Sequence, residues 1–216
     1  MCRWFNSDLG HHPEKYLMKK PRWLFTFVLF VIINQILSCS TTPKNQNQKI
    51  SVGFDIDDTL LFSTPAFNKA RESFQFGTDE FWSLVNSLDE EYSPIKKKVY
   101  EIVKQHLQSG NKIYAITARP GNNGNALKRT INKKFGIPVE NVYFEPNQKI
   151  DKIKQLGITL FYGDSDSDIQ DAIAAGAKGI RIERSPKSSY KDEKTGKLIK
   201  YNPGKFGEEI IYGSEE

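Results

Sequence analysis

The sequence predicts an α/β fold, a parallel sheet with helices on both faces. Three observations carry that expectation. From Lys49 onward, short apolar stretches that suit strands alternate with stretches of helical spacing, the pattern of a parallel sheet covered on both sides. The first such stretch, Val52-Gly53-Phe54-Asp55-Ile56-Asp57-Asp58, runs into three carboxylates within four residues. The chemically unusual residues Asp55, Asp57, Thr117 and Asp164 all fall at strand ends, where sheets of this kind bind ligands.

Strand one is expected from Lys49 to about Ile56, built on Val52, Phe54 and Ile56. A helical stretch starts at Thr64-Pro65 and includes Phe67 and Phe74. A second runs from Asp79 to Leu88 with Phe81, Trp82 and Leu84. Ser93-Pro94 reads as the start of a third helix, proline suiting the first turn. Ile95, Val99, Ile102, Val103 and Leu107 keep its spacing and Gly110 closes it. Lys112–Thr117 is strand two, Asn125–Phe135 a basic helix stopped at Gly136, and Val142–Phe144 a short strand. A helix over Lys149–Leu156 precedes a strand, Thr159–Tyr162, that ends in Gly163-Asp164. Asp168–Ala175 is a helix with Ile169, Ala172 and Ile173 on one face, stopped at Gly176. Gly179–Glu183 is a further parallel strand. Residues 185–205 are polar and lysine-rich and read as loop, and Glu209–Tyr212 as a small terminal strand.

The segment before the fold reads as an address. Lys19, Lys20 and Arg22 precede a nearly unbroken apolar run, Trp23–Ile33, followed by Asn34, Gln35 and Ile36-Leu37-Ser38-Cys39. That is the layout of a secretory signal, and it is too short for an ordinary membrane span. Met18-Lys19-Lys20 is a better start for it than residue 1, so residues 1–17 are expected to lie upstream of the true start. Residues 18–38 are then the signal. Ile36-Leu37-Ser38-Cys39 resembles a bacterial lipobox, which would put a lipid anchor on Cys39; ordinary cleavage near Ser38 or Ser40 is the alternative. Residues 39–48 are a polar tether, and residues 49–216 the folded domain. Export across the inner membrane, to the periplasm or as an outer-membrane lipoprotein, follows from this reading.

The 216 residues carry a net charge of +5 and 12% aromatics. A basic balance mildly favours anionic partners, yet no basic-aromatic RNA motif or zinc-finger spacing is present, so no nucleic-acid polymer is expected as a partner. The two cysteines, Cys2 and Cys39, both precede the folded region, so neither a disulfide nor a thiolate metal site is available within it.

Three adjacent carboxylates repel, and burying them is costly without a compensating cation. An isolated Asp-x-Asp is mostly a solvated turn. Here it follows a strand and is joined downstream by Gly163-Asp164 and Asp168, which argues for a site. Hard oxygen donors suit Mg²⁺. Asp55 and Asp57 at one strand end can serve a metal and a substrate, and Asp164 completes the cation site. Thr117 offers a hydroxyl and backbone N–H before a helix, a place that suits phosphate. A lysine offsets charge. Phosphoryl transfer needs mainly positioning and charge neutralisation, and a carboxylate nucleophile gives an aspartyl-phosphate.

Asp55-Ile56-Asp57-Asp58-Thr59 matches the first motif, D-x-D-x-[TV], of the haloacid dehalogenase superfamily. Phe54 to Ser63, Phe161 to Ile169 and Phe206-Gly207-Glu208-Glu209 resemble the wording of the bacterial class B acid phosphatases, and the likeness spans residues 49–216. It implies a Rossmann-like haloacid dehalogenase fold with a small helical cap over about 62–92. It implies a Mg²⁺-dependent acid phosphatase acting on small-molecule phosphate monoesters such as nucleotides and aryl phosphates. Asp55 would be the nucleophile and a metal ligand. Asp57 would be general acid then base, with its carbonyl on the metal, and Asp164 the third protein ligand. Thr117, Ala118, Arg119, Lys149 and Asp168 would support phosphate, with Lys152 the fallback lysine. Phe67, Trp82 and Tyr190 would line an aromatic substrate pocket. A homo-oligomer, dimer or tetramer, is also implied.

There are departures. Ala118 stands where the family usually has glycine. The stretch between Cys39 and Lys49 is short for the family's tetramer. A lipobox is commoner in class C acid phosphatases, which leaves a class C-like lipoprotein phosphatase as an alternative. A transferase that passes phosphate to an alcohol and a non-catalytic envelope protein are the rivals from other classes. His106 is read as a surface or core residue of the third helix, and no histidine pair is available for the other acid-phosphatase chemistry.

Overall fold

The computed structural model describes residues 49–213. The expectations for residues 1–17, 18–38, Cys39 and the tether 39–48 lie outside them. Among the described residues no helix is long and apolar enough to cross a membrane.

In chain order the elements are β1 (Ser51–Phe54), α1 (Thr64–Arg71), α2 (Asp79–Tyr92), α3 (Lys97–Gln108), β2 (Lys112–Thr117), α4 (Gly124–Phe135), a 3₁₀ turn (Val139–Asn141), β3 (Val142–Phe144), α5 (Ile150–Gln155), β4 (Ile158–Gly163), α6 (Asp166–Ala174), β5 (Lys178–Ile182) and β6 (Glu209–Ile211). The six strands form one sheet in the order β3-β2-β1-β4-β5-β6, and every neighbouring pair is parallel. The chain winds outward from β1 to β3, then returns to lay β4 on the other side of β1. The β1–β4 boundary is therefore the switch point, where the strand ends leave a crevice.

Strand alternation sends side chains to two apolar layers. Val52, Phe54, Ile113 and Ala115 pack with Val99 and Val103 of α3 and Leu127 and Ile131 of α4. Tyr114, Ile116 and Phe161 face the other way, onto Ile153 of α5 and Ala172 of α6. On this second face Gly53 leaves room for the Phe161 ring; a Cβ there would lie 2.5 Å from it. The helices α1 and α2 form a small inserted layer after β1, holding Phe67, Ala70, Phe81 and Val85 in a cluster of their own.

The predicted helix start at Ser93-Pro94 is wrong. Ile95 instead forms an antiparallel bridge with Leu61. Phe62 N donates to Pro94 O at 2.9 Å and Lys96 N to Leu60 O at 3.0 Å. Ser93 ends α2, its hydroxyl donating to Asp89 Oδ1 at 2.6 Å, so α2 runs on to Tyr92 and α3 begins only at Lys97. Strand one stops at Phe54 because Leu60 N and Leu61 N both turn back to Ile56 O. Phe74 lies beyond α1 and is exposed. The helix expected from Asp168 starts at Asp166 because Ser165 caps it. Its apolar face is narrower than expected, with Ile169 and Ala172 buried but Ile173 52% exposed.

Candidate active site

The carboxyl ends of β1, β2 and β4 converge as expected. Asp55 extends β1 by one ladder bond, its N–H donating to Tyr162 O at 2.8 Å, and it is buried. Lys149, at the start of α5, reaches into this site. Its Nζ donates to Asp55 Oδ1 and, at 2.7 Å, to Asp168 Oδ1. The main chain of Lys149 is tied down by a bond from its N–H to Asp171 Oδ2, 2.8 Å.

Asp168 is positioned by a capping box at the start of α6. Ser165 Oγ accepts from Asp168 N at 3.2 Å, and Asp168 Oδ2 accepts from Ser165 N at 3.1 Å, satisfying two end N–H groups reciprocally. Gly163 permits this close approach, since a Cβ there would sit 2.3 Å from the Asp168 Cβ. Asp164 follows it. Thr59 Oγ1 donates to Asp164 Oδ1 at 3.2 Å, and Arg184 Nε donates to Asp164 Oδ2.

Asp55, Asp164 and Asp168 each present a carboxylate oxygen, and these oxygens lie within 4.8 Å of one another. Their protonation shows the strain of this arrangement. Burial pushes Asp55 well above the ordinary 3.8; Lys149 opposes that, and the carboxylates of Asp168, Asp164 and Asp57 add to it. Burial likewise raises Asp164 against the pull of Arg184. For Asp168 burial is outweighed by the charge and hydrogen bond of Lys149, and the carboxyl is held below 3.8. A buried cluster of hard oxygen donors, two of them with pKa values raised by burial and by neighbouring carboxylates, fits a divalent cation.

Asp57 lines the same cavity but is held by Arg119. Arg119 Nε lies 2.9 Å from Asp57 Oδ2 and Nη2 2.5 Å from Oδ1, and Thr117 Oγ1 donates to Oδ2 at 3.4 Å. Burial would raise Asp57, but the Arg119 charge and hydrogen bonds overcome it and hold the carboxyl below 3.8. The same guanidinium reaches the inserted helices. Nη1 donates to Asp89 Oδ2 and, at 2.9 Å, to Asn86 Oδ1.

These groups open on a cavity of about 790 Å³ whose inner wall includes Asp55, Asp57, Ala118, Lys149, Asp164 and Asp168, and whose outer wall includes Tyr190. Residues 30–193 match the HAD superfamily, subfamily IIIB (Acid phosphatase). The chain is 34% identical to the class B acid phosphatase of Salmonella typhimurium over 180 residues, 77% of this chain and 73% of that one. It is 39% identical to the class B acid phosphatase of Edwardsiella ictaluri over 181 residues, 77% and 72% of the two chains. The chain belongs to the class B acid phosphatases.

In this class B acid phosphatase the geometry separates the two lysine candidates. Lys149 is buried between two carboxylates, whereas Lys152 Nζ lies on an outer face, 2.9 Å from Gln155 Oε1 and 4.8 Å from the Tyr143 ring centre. The expected aromatic wall is only partly there. Tyr190 lines the cavity, but Phe67 is 1% exposed and sits within the α1–α2 cluster. Trp82 packs edge-on against Phe67, centroids 5.9 Å apart, and neither ring lines the cavity. Phe67 supports Tyr190, whose ring meets it edge-on at 5.6 Å. Phe76, which the sequence reading passed over, does line the cavity, with the Arg71 guanidinium 5.0 Å from its ring centre.

Three further groups were missed. Arg184 pairs with Asp164, and Asn86 and Asp89 anchor Arg119. An Asn at 86 and an Asp at 89, one helical turn apart and with Asp89 on the helical face of Phe81 and Val85, was the available signal. Arg184, two residues past the end of β5, was another.

Proposed function

We propose that this acid phosphatase hydrolyses small phosphate monoesters, nucleotides and aryl phosphates among them, through an aspartyl-phosphate on Asp55 and with Mg²⁺ as cofactor. The observation that carries the reading is Asp55 itself, a buried carboxylate at the switch point, bonded to Lys149, which also bonds Asp168, and clustered with the carboxylates of Asp164 and Asp168.

Asp55, Asp164 and Asp168 would hold the cation, with the Asp57 carbonyl as a further donor. Bound there, it would supply charge neutralisation and a template for the phosphoryl oxygens. The chain's own residues do the rest. A carboxylate oxygen of Asp55 attacks phosphorus in line, and the ester P–O bond breaks. Asp57 gives its proton to the departing oxygen. Asp57 then takes a proton from water, the water oxygen attacks phosphorus, and the bond to Asp55 breaks, releasing phosphate. A substrate hydroxyl in place of water would give phosphotransfer. Lys149 neutralises charge beside Asp55, and the backbone at Thr117 and Ala118 faces the phosphoryl oxygens.

Arg119 keeps Asp57 ionised in the free enzyme. A bound phosphate adds negative charge nearby and pulls on Arg119, and both effects raise the Asp57 carboxyl toward the protonated state its first step needs. Mildly acidic working conditions follow. The outer wall at Tyr190 and Phe76 suits a flat leaving group.

The deciding measurement is p-nitrophenyl phosphate hydrolysis by purified protein, with and without EDTA, beside Asp55→Asn. Metal-dependent turnover that vanishes in Asp55→Asn is expected. Full activity in EDTA or in the variant would sink the mechanism. The basic and apolar run Lys19–Ile33 supports work outside the cytoplasm. Radiolabelled palmitate incorporated by the wild type and not by Cys39→Ser would test the anchor.

A further inference from the structure

Asp58 is the third carboxylate of the first motif, and the chemistry above does not use it. Its backbone is left-handed, with φ 53°, a conformation that glycine or asparagine adopts at least cost. Its side chain is 2% exposed. One oxygen, Oδ1, is buried with no hydrogen-bond partner among the described residues. A turn alone does not ask for such a group, and leaving a buried oxygen unpaired costs stability.

The other oxygen has a specific partner. Ser188 Oγ donates to Asp58 Oδ2 at 2.5 Å, and Ser188 Oγ in turn accepts from Tyr190 N at 3.2 Å. Arg184 Nε stands 3.8 Å from Asp58 Oδ2 and also holds the same segment, Nη1 donating to Ile199 O at 2.7 Å. Next to Ser188, Ser189 N donates to Thr64 Oγ1 at 2.8 Å. The excursion beyond Tyr190 is closed by Ile199 N donating to Tyr190 O at 2.9 Å and by the Lys191–Leu198 bridge, and the Tyr190 ring rests edge-on against Phe67. Asp58 thus links the turn that carries Asp55 and Asp57 to the main chain that carries the cavity wall at Tyr190.

We propose that Asp58 is a positioning residue that latches residues 188–190 through Ser188, and so sets affinity for the ring of the leaving group while leaving the rate at phosphorus alone. The inference rests on the aryl and nucleoside reading of the cavity. When the latch is lost, only a fraction of molecules present Tyr190 correctly, and apparent affinity falls by that fraction. A bound ring restores the closed segment, so turnover at saturation is kept.

The test uses Asp58→Gly and Ser188→Ala in the full-length protein. Glycine suits φ 53°, so a residue needed only for the turn would make Asp58→Gly silent. The latch predicts that each variant raises KM for p-nitrophenyl phosphate by about tenfold, the factor that about 1.4 kcal/mol sets. It predicts kcat within about twofold, unchanged competitive inhibition by inorganic phosphate, and a double variant no worse than either single one. A second readout does not depend on activity. Trypsin should cut within residues 187–200, which hold Lys187, Lys191, Lys194, Lys197 and Lys200, about tenfold faster in both variants. If Asp58→Gly matches the wild type in KM and in cleavage rate, the latch is refuted. Equal losses for p-nitrophenyl phosphate and inorganic phosphate would refute it as well, since the ring would then not be what it serves. A wild type without turnover would overturn the phosphatase reading, and the cleavage rates would still decide the latch.

Discussion

Arg119 clasps Asp57 through two nitrogens, Nε at 2.9 Å and Nη2 at 2.5 Å, with almost no exposure to solvent. The family resemblance implies a phosphate contact for this arginine. The structure shows that its guanidinium is shared between the proposed acid and Asp89 of the inserted helices. Removing it with Arg119→Met leaves the buried Asp89 and the partly buried Asp57 without their cation, and stability should fall by about 3 kcal/mol, read as a lower urea midpoint. The activity that remains should shift in pH. Asp57 must be protonated to act as the acid, so activity falls as pH rises through its pKa. Arg119 draws that pKa down; without it burial raises the pKa, with substrate bound as well as without, and the decline moves to higher pH. An unchanged pH–rate profile in the variant would mean that Asp57 is not the acid.

What was legible in the sequence was the chemistry that follows apolar strands. Asp55, Thr117 and Asp164 interrupt or end hydrophobic runs, and a parallel sheet brings such ends together whatever the loops do. Lys149 was legible only as one of two choices, because a shift of one helical turn exchanges it with Lys152. Ser93-Pro94 misled because serine before proline can finish one element or begin the next; only the pairing of Ile95 with Leu61 decides. The pairing of Arg119 with Asp57 and Asp89 was not legible, because its partners at residues 86 and 89 come from a separate layer. Phe67 and Trp82 sit at helical spacing that suits a core or a pocket equally, and burial, which no single sequence displays, assigns Phe67 to the core and sets Trp82 behind it.

Metal should act on stability as well as on rate. Asp55 and Asp164 are both raised by burial among like charges, so a cation bound between them relieves repulsion that exists only in the folded state. At Mg²⁺ of 100 times its Kd, the gain in unfolding free energy should be about 2.7 kcal/mol. Thermal denaturation with Mg²⁺ and with EDTA measures it. Asp164→Asn should lose most of the Mg²⁺-induced rise. Asp55→Asn should lower kcat by about 10⁴-fold or more, the scale at which a nucleophile acts.

Phe67 and Tyr190 touch at 5.6 Å yet should answer differently to truncation. Phe67 is buried among α1, α2, Arg119 and Tyr190, so Phe67→Ala should cost about 3–5 kcal/mol of stability. Tyr190 borders the cavity, so Tyr190→Ala should raise KM for aryl phosphates several-fold, with a smaller loss of stability. Denaturation and steady-state kinetics on both variants separate the two roles. A larger KM effect at Phe67 than at Tyr190 would return Phe67 to the pocket.

His106 provides a pH test remote from the phosphate site. Its Nε2 lies 3.1 Å from the Tyr162 hydroxyl and its Nδ1 2.9 Å from Asn111 Nδ2. Asn111 can offer Nδ1 only a donor, so the neutral ring accepts there and donates from Nε2 to Tyr162. Partial burial lowers the His106 pKa below 6.5. Between that lowered value and 6.5 the unfolded chain therefore binds more protons than the folded one, and stability rises with pH across the window. The contribution is complete above pH 6.5 and is lost as pH falls through the folded value. A second proton on the ring would also set Nδ1–H against the Asn111 amide. His106→Gln keeps polar contacts without titrating. The difference in urea midpoint between pH 8 and pH 5.5 should be larger for the wild type than for His106→Gln. Equal differences would show that this ring is not protonated at a cost in the folded state.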